Sequence, residues 1–138
     1  MRSLEILVAL ILTGCIPDEG PLMDPGQNCM RMACHHPGAE AKAWTVGGTV
    51  YGAADAEVNA GVSGVRVRVT DATGWTFSLR SNQSGNFYSA EPVTYPLTLC
   101  LERSGSSLCM QATDSGGSCN TCHTLPPSGG AAGRLYAP

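Results

Sequence analysis

Alternation of apolar and polar residues marks the middle of the chain as β-structure. Apolar side chains recur at every second position in the stretches 44–51, 65–70 and 75–80, and the sequences 71–74 and 82–85 between and after them are typical of turns. Successive side chains of a strand point to opposite faces, so this pattern predicts antiparallel strands with one buried and one wet face. The apolar residues expected on the buried face are Trp44, Val46, Val50, Val65, Val67, Val69, Trp75, Phe77 and Leu79. The fold class expected is mainly β, a small antiparallel β-sandwich.

Two further strands, 97–102 and 107–111, form a predicted hairpin around the four-residue turn 103–106. If that turn sets the register, Cys100 lies opposite Cys109, with Cα atoms about 4.5 to 5.5 Å apart. This separation lies within the range that a disulfide accepts, so we expect a cross-strand Cys100–Cys109 disulfide. The alternative is a zinc site formed with the cysteines of a motif further along the chain.

That motif is Cys119-Asn120-Thr121-Cys122-His123, and its Cys-x-x-Cys-His spacing is typical of a covalent c-type haem site. Two thiols separated by two residues can add to the two vinyl groups of one haem. The histidine that follows is then held beside the iron. We therefore expect Cys119 and Cys122 to carry a haem c and His123 to be its proximal ligand.

A less regular copy lies near the start of the chain, where Cys29 and Cys34 are separated by four residues and His35 follows. The four intervening residues must bulge for both sulfurs to reach one porphyrin. The sequence is similar to the expanded Cys-x4-Cys-His sites of some multihaem cytochromes c, which implies a second covalent haem with His35 as proximal ligand. The alternatives are a disulfide or a metal-binding loop.

The first fourteen residues are predicted to be a signal peptide. Arg2 precedes an apolar run, 6–12, that is too short to span a bilayer as a helix. Leu12-Thr13-Gly14-Cys15 resembles the lipobox of bacterial lipoproteins, which implies that Cys15 becomes a lipid-modified amino terminus. The isoleucine after Cys15, in place of aspartate, favours the outer membrane. The alternative is an ordinary secretory signal with an incidental cysteine.

Composition limits the class of partner and the roles that the cysteines can have. The chain has 138 residues and a formal net charge of −3 without charge runs, which gives no reason to expect a nucleic acid as partner. Export would place its seven cysteines in an oxidising compartment. They then divide into one lipid-modified residue, two haem-binding pairs and one disulfide, and none is left over.

Each iron also has a position for a sixth ligand, opposite its proximal histidine. His36 is the one histidine that remains, and it could reach the second haem; the alternative is an exposed turn histidine before Pro37. Methionines are further candidates, although each is also explained as core or loop filler. They are Met23, Met30, Met32 and Met110. The predicted hairpin register points Met110 into the core, which disfavours it as a ligand.

The glycine and turn placement over about 45–102 resembles the carboxypeptidase-regulatory-like, or CnaB-type, family of seven-stranded β-sandwiches. The resemblance rests on Gly48-Thr49-Val50-Tyr51, Gly61 through Val67, Asp71 through Gly74, and Gly85-Asn86-Phe87-Tyr88. In that family the module is usually a spacer or binding unit, so the resemblance implies fold more than function.

These inferences divide the chain into five parts. They are a signal peptide (1–14), a flexible tether (15–28), a first haem segment (29–43), the β-sandwich (44–113) and an irregular second haem segment (114–138). The function expected is extracytoplasmic electron transfer between redox partner proteins by a lipid-anchored dihaem cytochrome, periplasmic or at the cell surface, with a possible homo-oligomer or filament through haem contacts. The alternative is a disulfide-stabilised surface module without haem. An enzyme is not expected, because no clustered distal acid or base and no zinc-hydrolase signature is present.

Overall fold

The computed structural model describes residues 22–30, 34–110 and 116–138. The predicted signal peptide, the lipid site at Cys15 and the candidate ligand Met32 lie outside the described residues. In the described part of the chain, no helix is long and apolar enough to cross a membrane.

The described residues form two sheets that face each other, which confirms the mainly β fold. The strands are β1 (Val46–Tyr51), β2 (Arg66–Thr70), β3 (Thr76–Arg80), β4 (Asn86–Ser89), β5 (Thr98–Arg103), β6 (Ser106–Cys109) and β7 (Leu135–Tyr136). One sheet has the order β4-β1-β7, and the other has the order β3-β2-β5-β6. The pairings between these strands are antiparallel except that of β1 with β7, which is parallel.

The core lies between the two sheets and consists mainly of branched aliphatic side chains. Val46 and Val50 from β1 meet Val67 and Val69 from β2, and all four are fully buried. Phe87 from β4 is the one aromatic ring in this cluster, in line with the low aromatic content of 6%. Burial of this apolar surface is the main favourable term that holds the sheets together.

The predicted hairpin and its disulfide are both confirmed. Cys100 pairs with Cys109 across β5 and β6, and their sulfurs are bonded, with the Cα atoms 4.0 Å apart. The turn is tighter than expected, because Ser104 and Gly105 both adopt positive φ and form a two-residue connection. The zinc alternative is wrong, because disulfide sulfurs cannot serve as thiolate ligands.

Two expectations about strand faces are wrong. The alternation in 75–80 places Trp75 on the buried face, but its side chain is 44% exposed because it precedes β3, which lies at the edge of its sheet. The face of β1 that carries Thr49 and Tyr51 was expected to be wet, yet both residues are fully buried. The reason is that chain segments outside the sandwich cover this face.

One of these covering segments is the described part of the expected flexible tether. The Gly26 N–H donates to Thr49 Oγ1 at 2.9 Å, and the Asn86 side-chain amide donates to the Met23 carbonyl. Residues 22–28 are therefore packed on the outer face of the first sheet.

The last residues of the chain also differ from expectation. They were expected to be irregular, but Leu135 and Tyr136 pair with Val50 and Tyr51 as β7. Further along the same strand, Gly47 bridges to Ser118, immediately before the Cys-x-x-Cys-His motif. Ser118, Leu135 and Tyr136, all from the predicted second haem segment, thus lie along β1.

Candidate haem site

The second cysteine motif forms a single tight turn. Cys119–Thr121 is a 3₁₀ helix, and the carbonyl of Cys119 accepts hydrogen bonds from the N–H groups of Cys122 (3.3 Å) and His123 (3.0 Å). Cys119 and Cys122 are not disulfide-bonded. The turn therefore brings two thiols and one imidazole together, as covalent haem attachment requires.

The ring of His123 is held in one tautomer. Its Nδ1 lies 2.9 Å from the carbonyl oxygen of Gly133. Because a carbonyl oxygen can only accept, Nδ1 must carry the proton, and Nε2 then keeps its lone pair. A hydrogen bond of this kind fixes the orientation of metal-ligating histidines and raises their basicity.

Asn120, the first variable residue of the motif, fastens this turn to the sandwich. It is 4% exposed, and its Oδ1 accepts the Thr49 N–H at 3.1 Å. Its Nδ2 donates to the Gln27 carbonyl at 2.8 Å and to Thr49 Oγ1 at 3.0 Å. The Asn120 amide thus pairs with β1 between the bridge at Gly47 and strand β7.

The first motif closes with the same backbone hydrogen bond. The His35 N–H donates to the Cys29 carbonyl at 3.0 Å, just as His123 donates to Cys119. His35 Nδ1 lies 2.7 Å from the Lys42 carbonyl, so its Nε2 is also the nitrogen left with a lone pair. The two motifs share this arrangement although the first contains two more residues.

The imidazole of His35 is also oriented by stacking. Its ring lies 3.4 Å from the ring of Trp44, and the Trp44 ring lies 4.1 Å from that of Tyr88, with 5° between the planes in both pairs. Trp44 is 7% exposed, so the stack is anchored in the protein. The sequence pattern assigned Trp44 to the core and gave no sign of this contact.

The two cysteines of the first motif differ in oxidation state. Cys34 is disulfide-bonded in this structure, so a thioether at this position requires that bond to be reduced. Cys29 is a free thiol whose Sγ donates to the Gln27 carbonyl at 3.5 Å. Burial raises the pKa of Cys29 to about 11, and it stays protonated at neutral pH.

We expect this raised pKa to control the reactivity of Cys29 in the haem-free chain. The thiolate is the nucleophile, so alkylation of Cys29 should accelerate about tenfold for each unit of pH above 7 and level off near pH 11. Peptide mass mapping after timed iodoacetamide treatment measures the rate at each cysteine separately. A plateau near pH 9 would show that the Cys29 thiol is not buried as described.

The two motifs adjoin each other. The Asn28 amide donates to Thr121 Oγ1 at 3.0 Å and accepts from Ser118 Oγ at 2.5 Å, so the residue before Cys29 bonds to both sides of Cys119. A Cβ placed on Gly47 would lie 3.6 Å from Cys29 Cβ, and one on Gly48 would lie 2.9 Å from Cys119 Cβ. The first cysteines of the two motifs therefore lie against successive residues of β1, on its opposite faces.

An apolar groove of about 150 Å³ opens beside His123, where β6 and β7 leave the space between the two sheets uncovered. Its apolar lining residues are Leu99, Leu101, Leu108, Met110, Leu135 and Tyr136. Leu108 is 39% exposed and Tyr136 is 37% exposed, which leaves apolar surface in contact with water.

Arg134 also lines this groove and is a residue that the sequence did not single out. It is 8% exposed; its Nε donates to the Ala56 carbonyl at 2.7 Å, and its guanidinium carbon lies 4.6 Å from the centre of the Tyr51 ring. The salt bridges in the described part of the chain all involve other arginines. Burial raises the pKa of Tyr51, and the positive charge of Arg134 opposes that rise.

The candidate sixth ligands are dispersed. His36 lies in the turn after His35, with its Nδ1 2.8 Å from the Pro37 carbonyl, and its reach to the second haem stays a prediction. Met23 and Met30 lie on the segment that covers β1, whereas Met110 packs against the core, as its register predicted. Among the described residues, no group of three or more His, Cys, Asp and Glu side chains could hold a metal ion by itself.

The donor set of the second motif fits a c-type haem: two cysteines that are not disulfide-bonded, an imidazole oriented through its Nδ1, and exposed apolar surface beside it. The first motif fits when the Cys34 disulfide is reduced. Comparison adds no family to this description, because no protein-family model, curated protein or solved structure matches the chain.

Proposed function

We propose that this chain is an exported, lipid-anchored dihaem c-type cytochrome that passes single electrons between redox partner proteins outside the cytoplasm. One haem c is attached to Cys119 and Cys122 with His123 on its iron. The other is attached to Cys29 and Cys34 with His35 on its iron. The sandwich serves as the platform on which both sites are built.

The state of the second motif carries this proposal. Cys119 and Cys122 lie on one turn and are not disulfide-bonded, while Cys100 and Cys109, the other cysteine pair described in the sandwich, are oxidised. The Gly133 carbonyl holds His123 in the tautomer whose Nε2 can bind iron. A purely structural cysteine pair has no use for an oriented imidazole directly after it.

Attachment needs no group beyond haem and thiol. Each cysteine S–H adds across a vinyl double bond of the haem, so that sulfur bonds to one vinyl carbon and hydrogen to the other. Nothing leaves, but both sulfurs must be thiols at that moment. At the first motif a dithiol reductant from outside this chain must first reduce the Cys34 disulfide, which releases Cys34 as a thiol while the dithiol is itself oxidised to a disulfide.

The contact between the two motifs supports electron exchange within one chain. Asn28 bonds to Ser118 and Thr121, so haems attached to Cys29 and Cys119 would start from successive residues of β1, on its two faces. Electron transfer slows steeply with distance, and a short separation favours a pair that acts together. Electrons could then enter at one haem and leave at the other.

A second function is favoured by a specific observation, the oxidised state of Cys34 and of Cys100–Cys109. In an oxidising compartment the Cys100–Cys109 bond would stabilise a small sandwich that binds or spaces other molecules at the cell surface and carries no haem. This reading leaves Cys119 and Cys122 as unused thiols.

Intact-chain mass after expression with working haem-ligation machinery separates these functions. We expect the mature chain to carry the mass of two haems and to give a reduced-minus-oxidised spectrum of low-spin haem c. The same mass reports the lipid on Cys15. A colourless chain would overturn the cytochrome proposal and support the surface module, and a high-spin haem that reacts with peroxide would support a peroxidase instead.

A further inference from the structure

We infer that Met110 supplies the sixth ligand to the iron bound by His123, in the groove between β6 and β7. This inference rests on the proposed function, since it requires a haem on Cys119 and Cys122. It reverses the expectation drawn from the sequence, in which the inward direction of Met110 spoke against a role as ligand.

The groove brings this thioether and the imidazole to one space. His123 and Met110 both line it, together with apolar residues from both sheets. Cys119 belongs to the same buried cluster as Leu101 and Leu135, two of the residues that line the groove. His123 follows Cys122 directly in the chain, so a porphyrin bound through Cys122 would lie beside this edge of the core.

The backbone fixes where Met110 points. Its N–H donates to the Leu99 carbonyl at 2.9 Å, which continues the β5–β6 register by one residue beyond Cys109. Residues opposite each other on antiparallel strands share a face, so Met110 lies on the inner face with the buried Leu99. The side chain is partly buried and packs against the core instead of being enclosed by it.

The chemistry of methionine suits this position. Its thioether is a soft ligand that binds haem iron opposite histidine and raises the reduction potential. Its unbranched side chain can change rotamer without large repacking. The other described candidates do not line the groove: Met23 and Met30 lie on the N-terminal segment, and His36 lies in the turn near Trp44.

The experiment compares M110L with the unchanged chain, both loaded with haem. Leucine keeps the size and apolar character of the side chain but cannot bind iron. We expect M110L to lose the weak far-red absorption band that a ferric iron–thioether bond gives, in one haem per chain. Its ferrous form should bind carbon monoxide readily. The reduced-to-oxidised ratio of that haem at fixed potential should fall at least about tenfold, which is about 59 mV for one electron.

Further variants keep the test decisive. M110H should restore a six-coordinate low-spin haem with a lower potential than that of the unchanged chain. M23L and M30L, the matched controls, should leave all three readouts unchanged. If M110L carries haem with an unaltered spectrum and potential, or if H36A causes the change instead, the inference about Met110 is wrong while the cytochrome proposal stands. If the unchanged chain carries no haem at the second motif, the cytochrome proposal itself fails.

Discussion

Replacing Cys119 and Cys122 together with alanine should reduce the number of haems per chain by one. Both thioether bonds to the second haem are then lost, and His123 alone cannot hold a porphyrin covalently. The expected change is complete at this site: the intact mass falls by one haem, and the haem absorbance per chain falls by about half. Mass spectrometry and the pyridine haemochrome spectrum measure the two values independently.

The matched control is the C100A/C109A variant, which removes the same number of sulfur atoms from the sandwich. Loss of the Cys100–Cys109 disulfide opens a short cross-linked loop and should lower the free energy of unfolding by about 2 to 3 kcal/mol. The haem count should nevertheless remain that of the unchanged chain. If C100A/C109A lost a haem, or if C119A/C122A kept both, the assignment of haem to the second motif would be wrong.

Replacing Asn120 with alanine should produce the largest loss of stability among single substitutions in the motif. The change leaves the buried Thr49 N–H without its partner and removes one of the two hydrogen bonds that the Gln27 carbonyl accepts, the other coming from Cys29 Sγ. An unpaired buried group costs about 1 to 3 kcal/mol and an ordinary lost hydrogen bond about 1 kcal/mol, so we expect a loss of about 2 to 4 kcal/mol. For a chain of this size the melting temperature should fall by roughly 10 °C or more, as followed by far-ultraviolet circular dichroism.

Thr121 provides a control within the same motif, because it is the other variable residue between the two cysteines. It is exposed, and its side-chain hydroxyl accepts one exposed hydrogen bond from Asn28. The T121A variant should therefore lose less than about 1 kcal/mol. Equal effects of N120A and T121A would mean that the Asn120 amide does not fasten the motif to β1.

The sequence determined the elements whose cause is local. Alternation in 65–70 placed β2, and its valines are buried as expected. The hairpin predicted around 103–106 placed β5. The hairpin register, which places Cys100 opposite Cys109, followed from the position of one short turn between the two strands. The spacing of Cys119, Cys122 and His123 indicated the candidate site, because the chemistry of haem attachment itself sets that spacing.

The tertiary structure decided everything that depends on contacts between distant segments. Nothing local shows that Asn120 replaces a backbone partner of Thr49, 71 residues away, or that residues 22–28 bury the outer face of β1. The strand β7 is too short to give a periodic pattern, and it pairs in parallel with β1 only because the chain returns there. The same return of the chain also leaves open the groove that His123 and Met110 line. Chain order alone does not show which edge of a sandwich stays uncovered.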